Sequence, residues 1–555
     1  MCIRDRFTFD QVNHIAKFKN PISAVKLDHK IRRLGFSNQI KTLTFFLLTG
    51  FICEKGIPHD DWKATEYSAE KVYAPTPLPD RVVLTWEGDP ATTQSVTWRT
   101  DASVLKGVAH LAIANSNGRA MKTASFDATT THFKSDINDA HYHSVTFQDL
   151  ESDTLYAYRV GDGVNLTEYY HFKTASRDSD PFSFIYFGDA QNEVRTHWSR
   201  VFREAFRDAP RAAFTLHAGD LVDRKYSDAE WGEWHQGPDW VNGTIPVIAT
   251  PGNHEYYHYD STPELYWSNK SGDRVEVQVT SSDEQKGDGG KIYKVSFVGP
   301  EGVKANIEFN DAGDIRLADA GVESISGFSK DELIGANFYS SPLKTRPRNP
   351  EIPNLTKHWR PQFAFPVQDV PDPALTETVY FVDYQGVRFI SLDSNNAKQS
   401  QVEWLRKVLE SNPNRWTIVT FHHPMFSPGS DRDNPELRKL WKPLLDKFKV
   451  DLVLSGHDHT YARTGEIDSS ELVNVPEGYK QAYDSKIGTV YVVSVSGPKM
   501  YKITKDAYAK RTAEDTQLYQ IIDINNLELR YRAFTATGQL YDQFILQKRK
   551  GLPNL

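Results

Sequence analysis

The sequence predicts a layered α/β (α+β) domain preceded by an all-β sandwich. Three observations predict this. Short alternating runs broken by Gly, Pro and Asp fill the first part of the folded chain; after Asp180 apolar runs alternate with helical patterns; and those apolar runs end in polar clusters.

The chain has 555 residues, 39% hydrophobic and 12% aromatic, enough for more than one full core. Before the first strand signals, Lys30-Ile31-Arg32-Arg33 and Lys41 precede the apolar run "LTFFLLTGFIC", Leu43 to Cys53. A basic flank followed by a short apolar run reads as an export signal, and the run is short for a bilayer span. Residues 1–60 are therefore expected to be a leader outside the fold, and the protein to be exported (periplasmic, secreted or cell surface), without a stable transmembrane span. Both cysteines, Cys2 and Cys53, fall in that leader, so the mature body is expected to lack thiols and disulfides.

From "TPLPDRVVLTWEGDPATTQSVTWRT" (Thr76 to Thr100) through "HSVTFQDLESDTLYAYRVGDG" to "EYYHFKTAS", short alternating runs without a helical period predict an antiparallel β-sandwich over residues 75–176. The α/β domain is assigned to residues 180–548. It opens with "PFSFIYFGDAQ" and the helical "RTHWSRVFREAF". Further apolar runs are "AAFTLHAGD", "IPVIATPGNHE", "VRFISLDSN", "WTIVTFHHP" and "DLVLSGHDH". In an open α/β sheet the ligand site lies beyond the carboxyl ends of the strands, where these clusters would converge. Residues 268–350, rich in alternating strands and Gly-containing turns, are expected to be an inserted β-rich subdomain, and "YQIIDINNLELRYRAFTATGQLYDQF" to complete a sheet. A net charge of −8 gives no general basic field, which argues against nucleic acid as partner.

In "DLVLSGHDHTYAR" two histidines stand two residues apart at the end of an apolar run. In extended chain, residues i and i+2 share a face, so His457 and His459 can reach one small volume. The other strand ends supply Asp189 with Gln191, Asp220 with Asp223, Asn253 with His254, and His422. Carboxylates, an amide oxygen and imidazoles are ligands for metals of intermediate hardness, and so many suit two ions sharing a carboxylate.

The ordered blocks "GDAQ", "GDLVD", "GNHE", "FHHP" and "GHDH" resemble those of the calcineurin-like metallophosphoesterases. "VVLTWEGDPATTQSVTWRT" and "LESDTLYAYRVGDG" resemble the β-sandwich, of fibronectin-III-like type, that precedes the catalytic domain of purple acid phosphatases. The resemblance implies a four-layer metallophosphoesterase fold and a phosphoric ester hydrolase, most simply an acid-phosphatase-like phosphomonoesterase using a two-metal-activated hydroxide on a small-molecule phosphoester. A phosphodiesterase or nucleotide pyrophosphatase, and a non-catalytic metal-containing surface binding protein, are the alternatives.

The resemblance makes Asp220 the carboxylate shared by both ions. It assigns Asp189 and His459 to the first ion, and Asn253, His422 and His457 to the second. His254 is expected beside the phosphate as general acid or charge stabiliser, with no covalent phosphoenzyme. Two positions depart from the family pattern. Asp223 stands where purple acid phosphatases have their colour-giving tyrosine, so no purple protein is expected. Gln191 stands where other members have histidine, so Gln191 or Asp223 is expected to complete the first site, shifting preference toward manganese or iron, with zinc as the third candidate. Tyr256, Tyr257 and His258 follow "GNHE" as candidate cleft residues, and Arg463 and Arg360 as candidate phosphate contacts. His423 and His217 are expected to pack rather than to bind.

Overall fold

Both faces of a strand that lies between a helix layer and a second sheet must be apolar, and the continuous apolar runs of the catalytic half follow that rule. In a computed structural model, residues 67–257, 265–271, 274–287, 290–299, 302–310, 314–336, 354–429, 432–464, 489–504, 509 and 511–548 are described. The leader and its export signal lie outside the described residues, as does His258.

One sheet of the catalytic half runs, in spatial order, Val247–Ala249, Thr215–His217, Phe182–Phe187, Leu518–Asn525, Glu528–Thr535 and Leu540–Gln547. Its first three strands are parallel and the C-terminal three add antiparallel pairs. The other sheet runs Tyr380–Tyr384, Val387–Ser391, Trp416–Thr420, Leu452–Ser455, Val490–Val493, Tyr461–Arg463 and Arg511–Ala513. Its four central strands, from Val387–Ser391 to Val490–Val493, are joined by three parallel pairings.

Alternation sorts the layers. Phe389, Ile418, Leu452 and Leu454 join Phe184, Leu216 and Ile522 in the core between the sheets. Their neighbours Ile390, Val419 and Val453 turn the other way, onto Trp404, Leu405, Leu437, Trp441 and Leu445 of helices Gln401–Glu410, Pro435–Leu440 and Lys442–Lys447. On the far side, Val201, Phe202 and Ala205 of helix Ser199–Asp208 and Trp231 and Trp234 of helix Asp228–Gln236 close the first sheet. The result is four layers, with the parallel strands of each sheet delivering their carboxyl ends to one edge.

Ahead of it, two four-stranded antiparallel sheets form a sandwich. One has the order Asp80–Thr85, Gln94–Asp101, Asp139–Phe147, Thr129–Lys134; the other Ala124–Asp127, Val108–Ile113, Leu155–Gly161, Tyr170–Lys173. Val96, Trp98, Leu111, Phe147, Tyr158 and Phe172 fill it. Residues Ser68–Leu555 form one compact unit. Within it the sandwich is held to the catalytic half by buried charge: Arg81 grips Asp228 at 2.7 and 3.0 Å, and Arg99 spans Asp228 at 3.3 Å and Asp80 at 2.8 Å.

Between Tyr257 and Asn354 the chain builds a five-stranded antiparallel sheet, Leu265–Ser268, Arg274–Gly287, Gly290–Val298, Lys304–Asn310 and Ile315–Ala318, with its own core of Trp267, Phe297, Ile307, Val322 and Leu333. Two short helices, Ala320–Ser326 and Lys330–Leu333, pack on it, an addition to the strand-and-turn pattern expected there. Asp319 caps the first by accepting from the amides of Gly321 and Val322. No helix among the described residues is long and apolar enough to cross a membrane.

Candidate metal centre

The strand-end loops bring Asp189, Gln191, Asp220, Asn253, His422, His457 and His459 into one buried cluster. Potential ligand atoms of Asp220, His422 and His457 lie within 4.8 Å of one another, and so do those of Asp189, Asp220 and His459. The two groups share Asp220. Asn253 joins the former, its Oδ1 2.8 Å from His457 Nδ1 and 3.0 Å from His422 Nε2. His459 Nε2 is 3.2 Å from Asp189 Oδ2.

The backbone is bent to achieve this. Asp220, His457 and His459 all have positive φ, at 51°, 76° and 47°. Non-glycine residues seldom occupy that region, and such strain persists only where surrounding structure holds it. Glycines let the loops touch: a Cβ on Gly456 would stand 2.1 Å from Asp189 Oδ1, and one on Gly252 2.1 Å from Asp220 Oδ1. Glu255, wholly buried, accepts hydrogen bonds from the amides of Asp220 (2.9 Å), Leu221 (2.8 Å) and Gly252 (2.7 Å), and so ties the Asp220 loop to the Asn253 loop. Its positioning role was missed in the sequence, although it stands inside the "GNHE" block.

The residues fit a cation pair. His422 Nδ1 faces the Ala218 carbonyl at 2.8 Å and His459 Nδ1 the Lys499 carbonyl at 2.9 Å, so each ring donates outward and keeps its Nε2 lone pair for the centre. Burial, opposed by His422 and reinforced by the charge of Asp220, pushes Asp189 up to about 8. Against its own burial, His422 is pushed up to about 9 by contact with Asp220 and by Asp189. Carboxylates crowded out of water recruit a proton for want of other positive charge, and a metal ion supplies that charge. Burial holds His457 well below the usual imidazole range and His459 at about 4, the neutral form that binds metal. Gln191 Oε1 is buried without a hydrogen-bond partner while Nε2 lies 2.8 Å from Asp220 Oδ2 and 3.1 Å from His459 Nε2. Exchanging the two ends of that amide would place an oxygen beside Asp220 and His459, where it could serve as a ligand.

Asp223 does not join either group. Its carboxylate stands 3.5 Å from His254 Nδ1, and its carbonyl accepts from that same nitrogen at 2.5 Å. Of the two expected substitutes at the first site, only Gln191 is in place. His254 also donates its amide to Asp220 Oδ1 at 2.8 Å, which leaves the partly exposed ring with Nε2 directed away from Asp223.

Arg463 stands apart from the cluster. Asp542 holds its guanidinium at 2.6 and 3.0 Å, which withdraws the expected phosphate contact. Arg360 pairs with Glu377 at 3.2 Å. Tyr257 is 9% exposed, its ring 5.9 Å from the Lys225 ammonium, and Tyr256 is bound by Asp393. His217 packs among Phe187, Trp198 and Trp234. His423 lies closer in, its ring 4.2 Å from that of His457 and its Nδ1 2.9 Å from Ser394 Oγ.

Residues 182–461 match the profile of the calcineurin-like phosphoesterases. The chain belongs to that family. Residues 79–174 match the N-terminal domain of purple acid phosphatases. Purple acid phosphatase 17 of Arabidopsis thaliana is 32% identical over 108 residues, 20% of this chain and 31% of the relative. An acid phosphatase of Aspergillus ficuum is 24% identical over 403 residues, 60% of this chain and 62% of the relative. The chain therefore spans less than two thirds of the length of either curated relative. A purple acid phosphatase from yellow lupin seeds superposes with a TM-score of 0.55 at 16% identity, over 85% of this chain and 74% of the other. PhoD superposes with 0.51 at 12% identity, over 89% and 93%. Within the calcineurin-like family, these likenesses concern the fold.

Proposed function

We propose that this calcineurin-like phosphoesterase hydrolyses phosphomonoesters with two metal ions, of manganese, iron or zinc, shared by Asp220. The observation that carries the reading is the pair of ligand groups meeting at that one carboxylate. When bound, two such ions supply Lewis acidity toward the phosphoryl group and lower the pKa of water toward neutrality.

The protein's own part is positioning and proton delivery. Asp189, Gln191 and His459 would hold the first ion, and Asn253, His422 and His457 the second. Glu255 keeps the Asp220 and Asn253 loops in register. His254 donates Nδ1–H to the Asp223 carbonyl beside the Asp223 carboxylate; as the imidazolium it would deliver its second proton, on Nε2, to the departing oxygen and be left neutral. The names of the acid phosphatase relatives support a monoester substrate. The basic flank and apolar run ending at Cys53 support export, which would place the enzyme where it scavenges phosphate from outside substrates.

The test is turnover of p-nitrophenyl phosphate against bis-p-nitrophenyl phosphate by apo-protein supplied with manganese, zinc or iron. Faster monoester release is expected. Diester preference would move the substrate to phosphodiesters, and silence toward both with every metal would sink the hydrolase reading.

A further inference from the structure

The chain leaving strand Val490–Val493 clamps His459 from both sides. The Lys499 carbonyl faces His459 Nδ1 at 2.9 Å, the Tyr501 amide donates to the His459 carbonyl at 3.1 Å, and the Tyr501 ring lies 4.7 Å from the imidazole. Two cations stand over that same tyrosine ring: the Arg432 guanidinium at 4.7 Å and the Lys499 ammonium at 5.7 Å. Arg432 is partly committed, its Nε to Asp458 Oδ1 at 2.9 Å and its Nη2 to the His457 carbonyl at 2.6 Å. Lys499 has no carboxylate within ion-pair distance among the described residues, and Asp458, wholly buried, already faces Arg432.

Positive charge is therefore in surplus beside the histidines of both ligand groups. The phosphoryl group under attack meets its compensating charge at the centre itself. A neutral alcohol leaving group gives the extra ammonium nothing to bind. A second phosphoryl group does: it carries charge that a lysine binds as a point charge and an arginine binds through its planar fork.

We infer that Lys499, with Arg432 and Tyr501, forms a cationic lip that selects substrates bearing a second phosphoryl group next to the one released. The inference rests on the hydrolase reading above for the reaction, and on the lip alone for the charge of the substrate. Arg432 also supports His457 and Asp458, so Lys499 is the residue to vary.

The experiment is calorimetric titration of the manganese-loaded protein with methylphosphonate and with methylenediphosphonate, in wild type, Lys499→Gln and Lys499→Arg. The wild type should favour the diphosphonate. One charge-assisted contact sets the loss of that preference at roughly tenfold in Lys499→Gln, with retention in Lys499→Arg. An unchanged ratio in Lys499→Gln overturns the lip, whatever the turnover. Turnover of p-nitrophenyl phosphate in the same preparations separates the two readings: a Lys499-dependent preference without turnover supports the lip and overturns the hydrolase, and turnover with an unchanged ratio does the reverse.

Discussion

His254 fixes Nδ1 on a backbone carbonyl, as His422 and His459 do, but it differs from them in its surroundings. The Asp223 carboxylate stands beside its Nδ1, and it is absent from both ligand groups. A proton-delivering role predicts a graded defect. His254→Ala should retain bound metal and lose on the order of 10²–10⁴ in kcat toward alkyl phosphates. The loss should be smaller toward p-nitrophenyl phosphate, whose leaving oxygen needs no proton. Equal losses on both substrates, or loss of metal measured by elemental analysis, would assign His254 to the ligand shell instead. Asp223 shows what spacing alone cannot tell: three residues after Asp220, in a loop, its direction is set by the Asn253–Glu255 turn packed against it. Arg463 shows the same at longer range, since its partner Asp542 lies 79 residues away in sequence.

At the scale of elements, the apolar runs ending in Asp, Asn and His were legible because strands buried on both faces leave a continuous apolar signature and their ends must carry the polar chemistry. Strand order was not legible, nor was the pair of short helices on the inserted sheet, because both depend on which surfaces meet. The join between sandwich and catalytic half was equally hidden. It includes Arg81 and Arg99 converging on Asp228 of helix Asp228–Gln236, with His358 Nε2 3.7 Å away. Asp228→Asn leaves two buried guanidinium groups facing a neutral amide, a change that costs about 3–5 kcal/mol when one partner of a buried pair is lost. Denaturant unfolding should show that loss, with the sandwich released first. A loss below about 1 kcal/mol would mean the join is held by apolar packing instead.

For the whole molecule, stability carries a pH signature away from the centre. Burial, opposed by Arg360 and reinforced by Glu87, pushes Glu377 up to about 7 from an ordinary 4.5. The folded state thus binds a proton that the unfolded chain has released between those values, so stability falls as pH rises from 4.5 to 7 and stays reduced above it. Glu377→Gln should melt with the wild type below pH 4.5 and at a higher temperature above pH 7. Identical melting at both ends would place the Arg360 pair, rather than burial, in charge of that group. Seven side chains from five strand-end loops are proposed to make one two-ion centre. Titration of apo-protein with manganese while following p-nitrophenyl phosphate turnover tests it most directly. Activity should be absent without metal and rise to a plateau at two equivalents per chain; a plateau at one equivalent, or turnover in the metal-free protein, would contradict it.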